Sequence, residues 1–358
     1  MSYLLAFLGF VALILLHEAG HFAAAKAVGM RVERFSLFFG PMLLKVRHGE
    51  TDYGIAAIPL GGYVKITGMN PHEDIPPEAR RRAYYNQPVW KRIVVILAGP
   101  AVNLVIAFLI VWGLFLSNGQ AVTSKSVAQV QKGTAAASAL KPGDQLVSVD
   151  GIGGTPDRLR NQLATHRCPG SVQTDGCEAA TPAKIVVRRG GRTLAFSLRP
   201  KYNAAAHRPL VGFAFSDTQR PVGAGKAASL AITGLWDVTK QTISVIVRIF
   251  EPQVRKELNS VVGGYTVTQE SFAKSPTLAL QVLALISLSL AVINLFPFLP
   301  LDGGHVFWAI AEKVRGRRIP FEVMERAGVV GFALILMLFL IGLSNDISTL
   351  TGKGFSVR

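Results

Sequence analysis

Charge is scarce in this chain. Only 17% of its 358 residues are Asp, Glu, Lys or Arg, too few for a disordered protein, which stays unfolded by carrying charge in place of apolar bulk. Acidic residues are scarcer still, 22 against 38 Lys plus Arg. Cysteine is nearly missing: Cys168 and Cys177 stand alone, which excludes a small scaffold held by several disulfides. No long internal repeat or low-complexity tract occurs, so solenoids and linker-like chains are excluded too. No Lys or Arg precedes the first apolar run, and no convincing small-residue cleavage pattern accompanies it, so that run reads as a span and not as a cleaved leader.

What is present is apolar bulk. Half of the residues are hydrophobic and the mean hydropathy is +0.36, which fits a polytopic α-helical membrane protein better than a soluble enzyme. A window of about 19 residues finds about four spans, at 3–26, 93–116, 278–300 and 327–344. The connection after the first carries Lys26, Arg31, Arg34, Lys45, Arg47, Lys65, Arg80, Arg81, Arg82, Lys91 and Arg92, so the positive-inside rule makes it cytoplasmic and turns the N-terminus outward. Alternation puts the third connection, with Lys313, Arg315, Arg317 and Arg318, on the same side. The net charge of +16 is thereby matched to anionic lipid and not to nucleic acid. Both cysteines fall in the outer segment between spans two and three, where a disulfide closing 168–177 and two free thiols are both open.

Along the chain, residues 32–67 read as short β-segments broken at Gly61-Gly62, either a sheet lining a site and offering an edge to an extended peptide or a plain membrane-surface hairpin. Residues 70–87 read as an exposed loop, and 127–200 as a β-rich domain. In it Gln145 to Val149 is a strand, Asp157 to Thr165 a helix, and Lys184 to Arg189 with Arg192 to Leu198 a hairpin about Gly190-Gly191. Residues 226–250 mix Leu230, Leu235, Val238, Val245 and Ile249 with Asp237, Lys240 and Arg248, predicting a helix on the outer membrane surface and not a fifth span.

The chemistry lies in His17-Glu18-Ala19-Gly20-His21, inside the first span. Positions i and i+4 share a helix face, so His17 and His21 can grip one cation while Glu18 serves as a base toward the attacking water. Ionisable groups at bilayer depth cost roughly 2.5–3.5 kcal/mol each, so their gathering there demands a compensating interaction. A hydrolytic zinc site needs a third protein ligand, and Asp302 in Asn294-Leu-Phe-Pro-Phe-Leu-Pro-Leu-Asp302-Gly-Gly304 is the candidate. At about 1.5 Å per residue, His17 lies roughly 20 Å below the outer edge of its span and Asp302 beyond the helical part of the third, both in the cytoplasmic half. Pro297 and Pro300 should break the third span there. Asn294 either hydrogen-bonds the substrate backbone or oxyanion, or caps carbonyls freed by those prolines. His305 is a competing ligand; His48, His72, His166 and His207 read as surface residues. The plain alternatives are packing histidines on one helix face and Asp302 as a helix cap.

On these motifs the chain resembles the site-2 protease family of intramembrane zinc metalloproteases, in its bacterial PDZ-containing form. The matching strings are His17-Glu18-x-x-His21, Gly99-Pro100-x-x-Asn103, and Asn294-x-x-Pro297-x-x-Pro300-x-Asp302-Gly303-Gly304. Ile58-Pro-Leu-Gly-Gly-Tyr-Val-Lys65 looks like the family's membrane-associated β-sheet, and Leu140-Lys-Pro-Gly-Asp-Gln-Leu-Val-Ser-Val-Asp-Gly151 like its PDZ signature. Where relatives often show Gly-Phe-Gly in that sheet, this chain has Phe38-Phe39-Gly40.

The resemblance implies one Zn2+ ion held by His17, His21 and Asp302, with Glu18 and Asn294 catalytic, and cleavage of a single-pass membrane protein, an anti-sigma factor or a remnant signal peptide. It implies a bacterial cytoplasmic membrane, with both termini and one PDZ domain outside. The expected division is 1–120 for two spans and the membrane sheet, 121–201 for the PDZ domain, 202–276 for a linker and surface helix, and 277–358 for two spans. A non-catalytic PDZ-bearing scaffold and a metal-ion transporter are the competing readings.

Overall fold

The computed structural model describes residues 2–70, 73–170, 173–249, 251 and 261–351. His72, and the part of 226–262 that falls at 250 and 252–260, lie outside the described residues. The chain forms two compact units, Met1–Phe115 with Ala224–Arg358, and Leu116–Gly223.

In the first unit, α1 (Ser2–Ala27) is an uninterrupted apolar helix that closes where Gly29 takes a left-handed turn and Met30 N–H donates to Ala25 O; Lys26 sits in its last turn, against the negative end of the helix. Strands β1 (Val32–His48) and β2 (Thr51–Ile66) each fold back on themselves, so their register makes four segments in the order 62–66, 32–37, 52–55, 44–48. Segment 62–66 is thus an outer edge. Leu43, Leu44 and Val46 at the far side are exposed.

Helix α2 (Val89–Asn118) follows a stretch expected to be an exposed loop, and the structure corrects that expectation. Ile75, Ala79 and Ala83 are buried together around a short 3-10 helix at Pro77–Arg82, and Tyr84 packs beside Val95 and Ile96. Helix α4 (Ala224–Val247) packs Leu235 and Val238 against the buried cluster of Ala107, Leu288 and Val292. It is followed by α5 (Val261–Lys274) and α6 (Pro276–Asn294), the latter capped by Ser275, whose Oγ accepts from Leu278 N–H. The helix stops at Asn294, earlier than residue 300, because Pro297 and Pro300 cannot supply the amides to continue it. Helix α7 (Asp302–Arg315) then starts on Asp302, a carboxylate at the positive end of a helix, and α8 (Phe321–Thr351) closes the unit.

Four of these helices, α1, α2, α6 and α8, are long and apolar enough to cross a membrane. Their outward side chains fit that solvent: Leu4, Phe7, Val105, Phe332 and Leu340 are exposed apolar groups in a chain with few charges to cover them.

In the second unit the sheet runs β10 (Phe213–Arg220), β3 (Gln120–Val130), β4 (Gln145–Val149), β6 (Ala183–Arg189), β7 (Arg192–Leu198), with β5 (Ile152–Gly153) beside β4. Helix α3 (Pro156–Ala164) packs Leu159 and Leu163 into its core with Leu146, Val149, Ile185 and Val187. A separate pair, β8 (Lys201–Asn203) and β9 (Arg208–Leu210), precedes β10. This unit runs past residue 201 to Gly223 because β10 zips onto β3 from Phe213↔Val130 to Arg220↔Gln120. Cys168 and Cys177 are joined as a disulfide. His166 is not a surface residue: it is 8% exposed, with Nε2 2.7 Å from Asp150 Oδ2 and Nδ1 3.1 Å from Thr181 Oγ1. His48 and His207 are exposed, as expected.

Candidate metal centre and active site

The i, i+4 spacing on α1 brings the two imidazoles edge to face, their Nε2 atoms 3.2 Å apart. Asp302, 281 positions beyond His21 in the chain, meets them: Oδ2 lies 3.2 Å from His17 Nε2 and 3.3 Å from His21 Nε2. These are the groups whose donors converge as a metal cluster would, and no other such cluster occurs among the described residues; His305 is not in it.

The spacing suits zinc. Bonds of about 2.0–2.1 Å in a tetrahedron require donors about 3.3 Å apart, and the three distances match that edge. The buried Asp302 Oδ2 receives no hydrogen bond despite its two near nitrogens, so a buried carboxylate oxygen points at a spot where a cation would satisfy it.

Helix α2 holds the imidazoles from behind. His21 Nδ1–H donates to Val95 O at 2.8 Å, which leaves Nε2 as a lone pair facing Asp302. One turn on, Gly99 leaves the room that His21 occupies: a β-carbon there would overlap the ring. A further turn on, Asn103 is fully buried with Nδ2 3.1 Å from His17 Nδ1. Val95, Gly99 and Asn103 are thus one face of α2, spaced by four. Reading the sequence assigned no role to that face; its one signal was the Gly99-Pro100-x-x-Asn103 string.

The site opens on a cavity of about 430 Å³ whose walls include His17, Glu18, His21, Asn294, Pro300 and Asp302 together with Gly61, Gly62 and Tyr63 of the sheet's outer segment. Glu18 and Asn294 therefore share one space with the metal-type cluster. Gly62 packs so closely on Glu18 that a β-carbon would strike its Cγ.

Comparison with known proteins matches residues 5–338 to the family model described as peptidase family M50. The chain belongs to peptidase family M50. It is similar to zinc metalloprotease Rip1 of Mycobacterium tuberculosis, 30% identical over 356 residues that cover 84% of this chain and 83% of that one. A Nostoc sp. relative is 32% identical over 98% of this chain and 97% of its own. One from Campylobacter jejuni is 29% identical over 95% and 92%. Both are provisionally named as zinc metalloproteases. With four apolar helices, this M50 peptidase is a multi-pass membrane protein.

Proposed function

We propose that this zinc metalloendopeptidase cuts single-pass membrane proteins within their membrane-spanning segment, taking substrates already trimmed outside, such as an anti-sigma factor or a leftover signal peptide. The observation that carries the reading is the meeting of His17, His21, Asp302 and Glu18 in one cavity of a unit built on apolar helices. His17, His21 and Asp302 hold the zinc, which supplies a Lewis acid that eases deprotonation of water near neutral pH and polarises a carbonyl. Glu18 accepts the proton of the attacking water and returns it to the leaving amine, so water adds across the amide and the C–N bond breaks. Asn294, on the cavity wall, donates to the substrate carbonyl.

A helical substrate hides its peptide bonds, so it must be drawn out before cleavage. The outer segment 62–66, with Gly61 to Val64 on the cavity wall, offers an edge that no further strand among the described residues pairs with, and on it an extended peptide can lie. The second unit, a five-strand antiparallel path with α3, is read as the PDZ domain that docks the trimmed end, and it lies outside the cytoplasm of a bacterium along with both termini.

Co-expression with a single-pass model substrate tests this. Glu18→Gln should lower cleavage at least 10²–10⁴-fold while zinc stays bound, and mass spectrometry of the wild-type products should place the cut inside the apolar segment. Cleavage by Glu18→Gln at the wild-type rate would remove the assigned base and favour a different mechanism; a cut confined to soluble flanks would overturn the intramembrane reading.

A further inference from the structure

His17 and His21 differ in what stands behind them. Behind His21 is a backbone carbonyl, Val95 O, which can only accept, so the proton of neutral His21 sits on Nδ1. Behind His17 is the carboxamide of Asn103, whose two ends are alike in shape and opposite in chemistry. With Nδ2 toward the ring, Asn103 would donate to His17 Nδ1, and the imidazole proton would be driven to Nε2, into the space between His21 Nε2 and Asp302 Oδ2. A protonated Nε2 cannot ligate. That orientation also leaves Asn103 Oδ1 buried without a hydrogen bond.

We infer that Asn103 is a positioning residue whose Oδ1 accepts from His17 Nδ1–H, fixing the tautomer that presents the Nε2 lone pair to the metal. This rests on the zinc reading above. Turning the amide end for end gives His17 the same arrangement as His21, with an oxygen acceptor behind and a lone pair in front. The amide is well placed to hold that pose. Asn103 is 0% exposed, and its own backbone carbonyl accepts from Ser287 Oγ at 2.8 Å, which pins this turn of α2 to α6. Val95 and Asn103, eight residues apart on one face, thus set both imidazoles from a single helix.

The test is zinc affinity of the full-length protein in detergent, read by competition with a graded chelator. Asn103→Asp keeps an oxygen acceptor and should bind within a few-fold of wild type; Asn103→Leu, similar in size but unable to accept, should bind about 10–100-fold more weakly. Thermal melting of the metal-free proteins checks that both variants fold. Independently, long-range ¹H–¹⁵N spectra of the metal-free wild type, with His17 assigned by its loss in His17→Gln, should show the proton on Nδ1. Equal loss in Asp and Leu variants, wild-type affinity in the Leu variant, or a proton on His17 Nε2 would each overturn the assignment. A wild-type protein that binds no zinc would instead overturn the metal reading itself, and this assignment with it.

Discussion

Arg92 of α2 grips Glu312 of α7 with both arms of its guanidinium, Nη1 to Oε2 at 3.0 Å and Nη2 to Oε1 at 2.8 Å. The two side chains are 10% and 20% exposed, so this pair is held out of solvent, where a two-pronged contact is strong and a missing partner is costly. Glu312 rides the same helix that begins with Asp302, and Arg92 sits one turn before Val95. The pair therefore ties the helix carrying the carboxylate of the site to the helix that seats the imidazoles.

Breaking that tie on one side should be worse than removing it. Arg92→Met or Glu312→Gln alone is expected to cost about 3 kcal/mol, as lone buried charges do, and to loosen zinc. Arg92→Met with Glu312→Leu should recover most of the stability. Thermal unfolding in detergent with zinc analysis of each variant checks this; a double variant that loses the sum of the two single losses would show that the pair is not coupled.

Space at Gly99 should matter more than helix propensity. Gly99→Ala puts a methyl where the His21 ring lies and is expected to weaken zinc binding at least tenfold, on the scale of other changes around a ligand. Gly113→Ala on the same helix meets nothing within 4 Å and should leave zinc unchanged, with a gain of about 0.5–1 kcal/mol. Zinc content after dialysis separates the two.

The acid limb of stability should show Glu50. Its hydrogen bond from Arg82, opposed by partial burial and helped by Lys26, holds the carboxyl pKa down to about 2, below its ordinary 4.5. Because the folded pKa is the lower one, Glu50 contributes its full stabilisation above about pH 4.5, and the contribution fades as pH falls toward 2. Glu50→Gln should therefore melt lower than wild type at pH 7 and converge with it near pH 2; a gap independent of pH would refute the linkage.

Phe38 occupies a left-handed backbone position, φ 75°, where a β-carbon is crowded. Phe38→Gly and Phe38→Ala both delete the ring, so their difference isolates the backbone. The glycine variant should be the more stable by about 1 kcal/mol; the reverse order would show that the turn tolerates a side chain.

Much of this was legible in the sequence because the signals were local or periodic. The spans announce themselves by length and apolarity, the hairpin at Gly190-Gly191 by its turn, and His17 with His21 by helical spacing. Asp302 was legible because a carboxylate beside two prolines at the end of an uncharged span has few other uses. What stayed hidden depended on packing between distant segments. The Val95, Gly99 and Asn103 face carries no charge and no unusual period, so beyond the Gly99-Pro100-x-x-Asn103 string only its contact with α1 reveals what it does. His166 looked like a loop histidine because its partners, Asp150 and Thr181, lie 16 and 15 residues away. The double fold of β1 and β2 follows from pairing that a linear alternation cannot encode.

The zipper between Gln120 and Arg220 has a consequence for how this protein can be rebuilt. Paired antiparallel residues stand roughly 5 Å apart, so the two ends of the second unit lie side by side. A splice of a few residues could close that gap, and a foreign module with similarly adjacent ends could be grafted in its place. Exchanging that unit while leaving the helices untouched thus becomes a practical way to measure what it contributes to the peptidase.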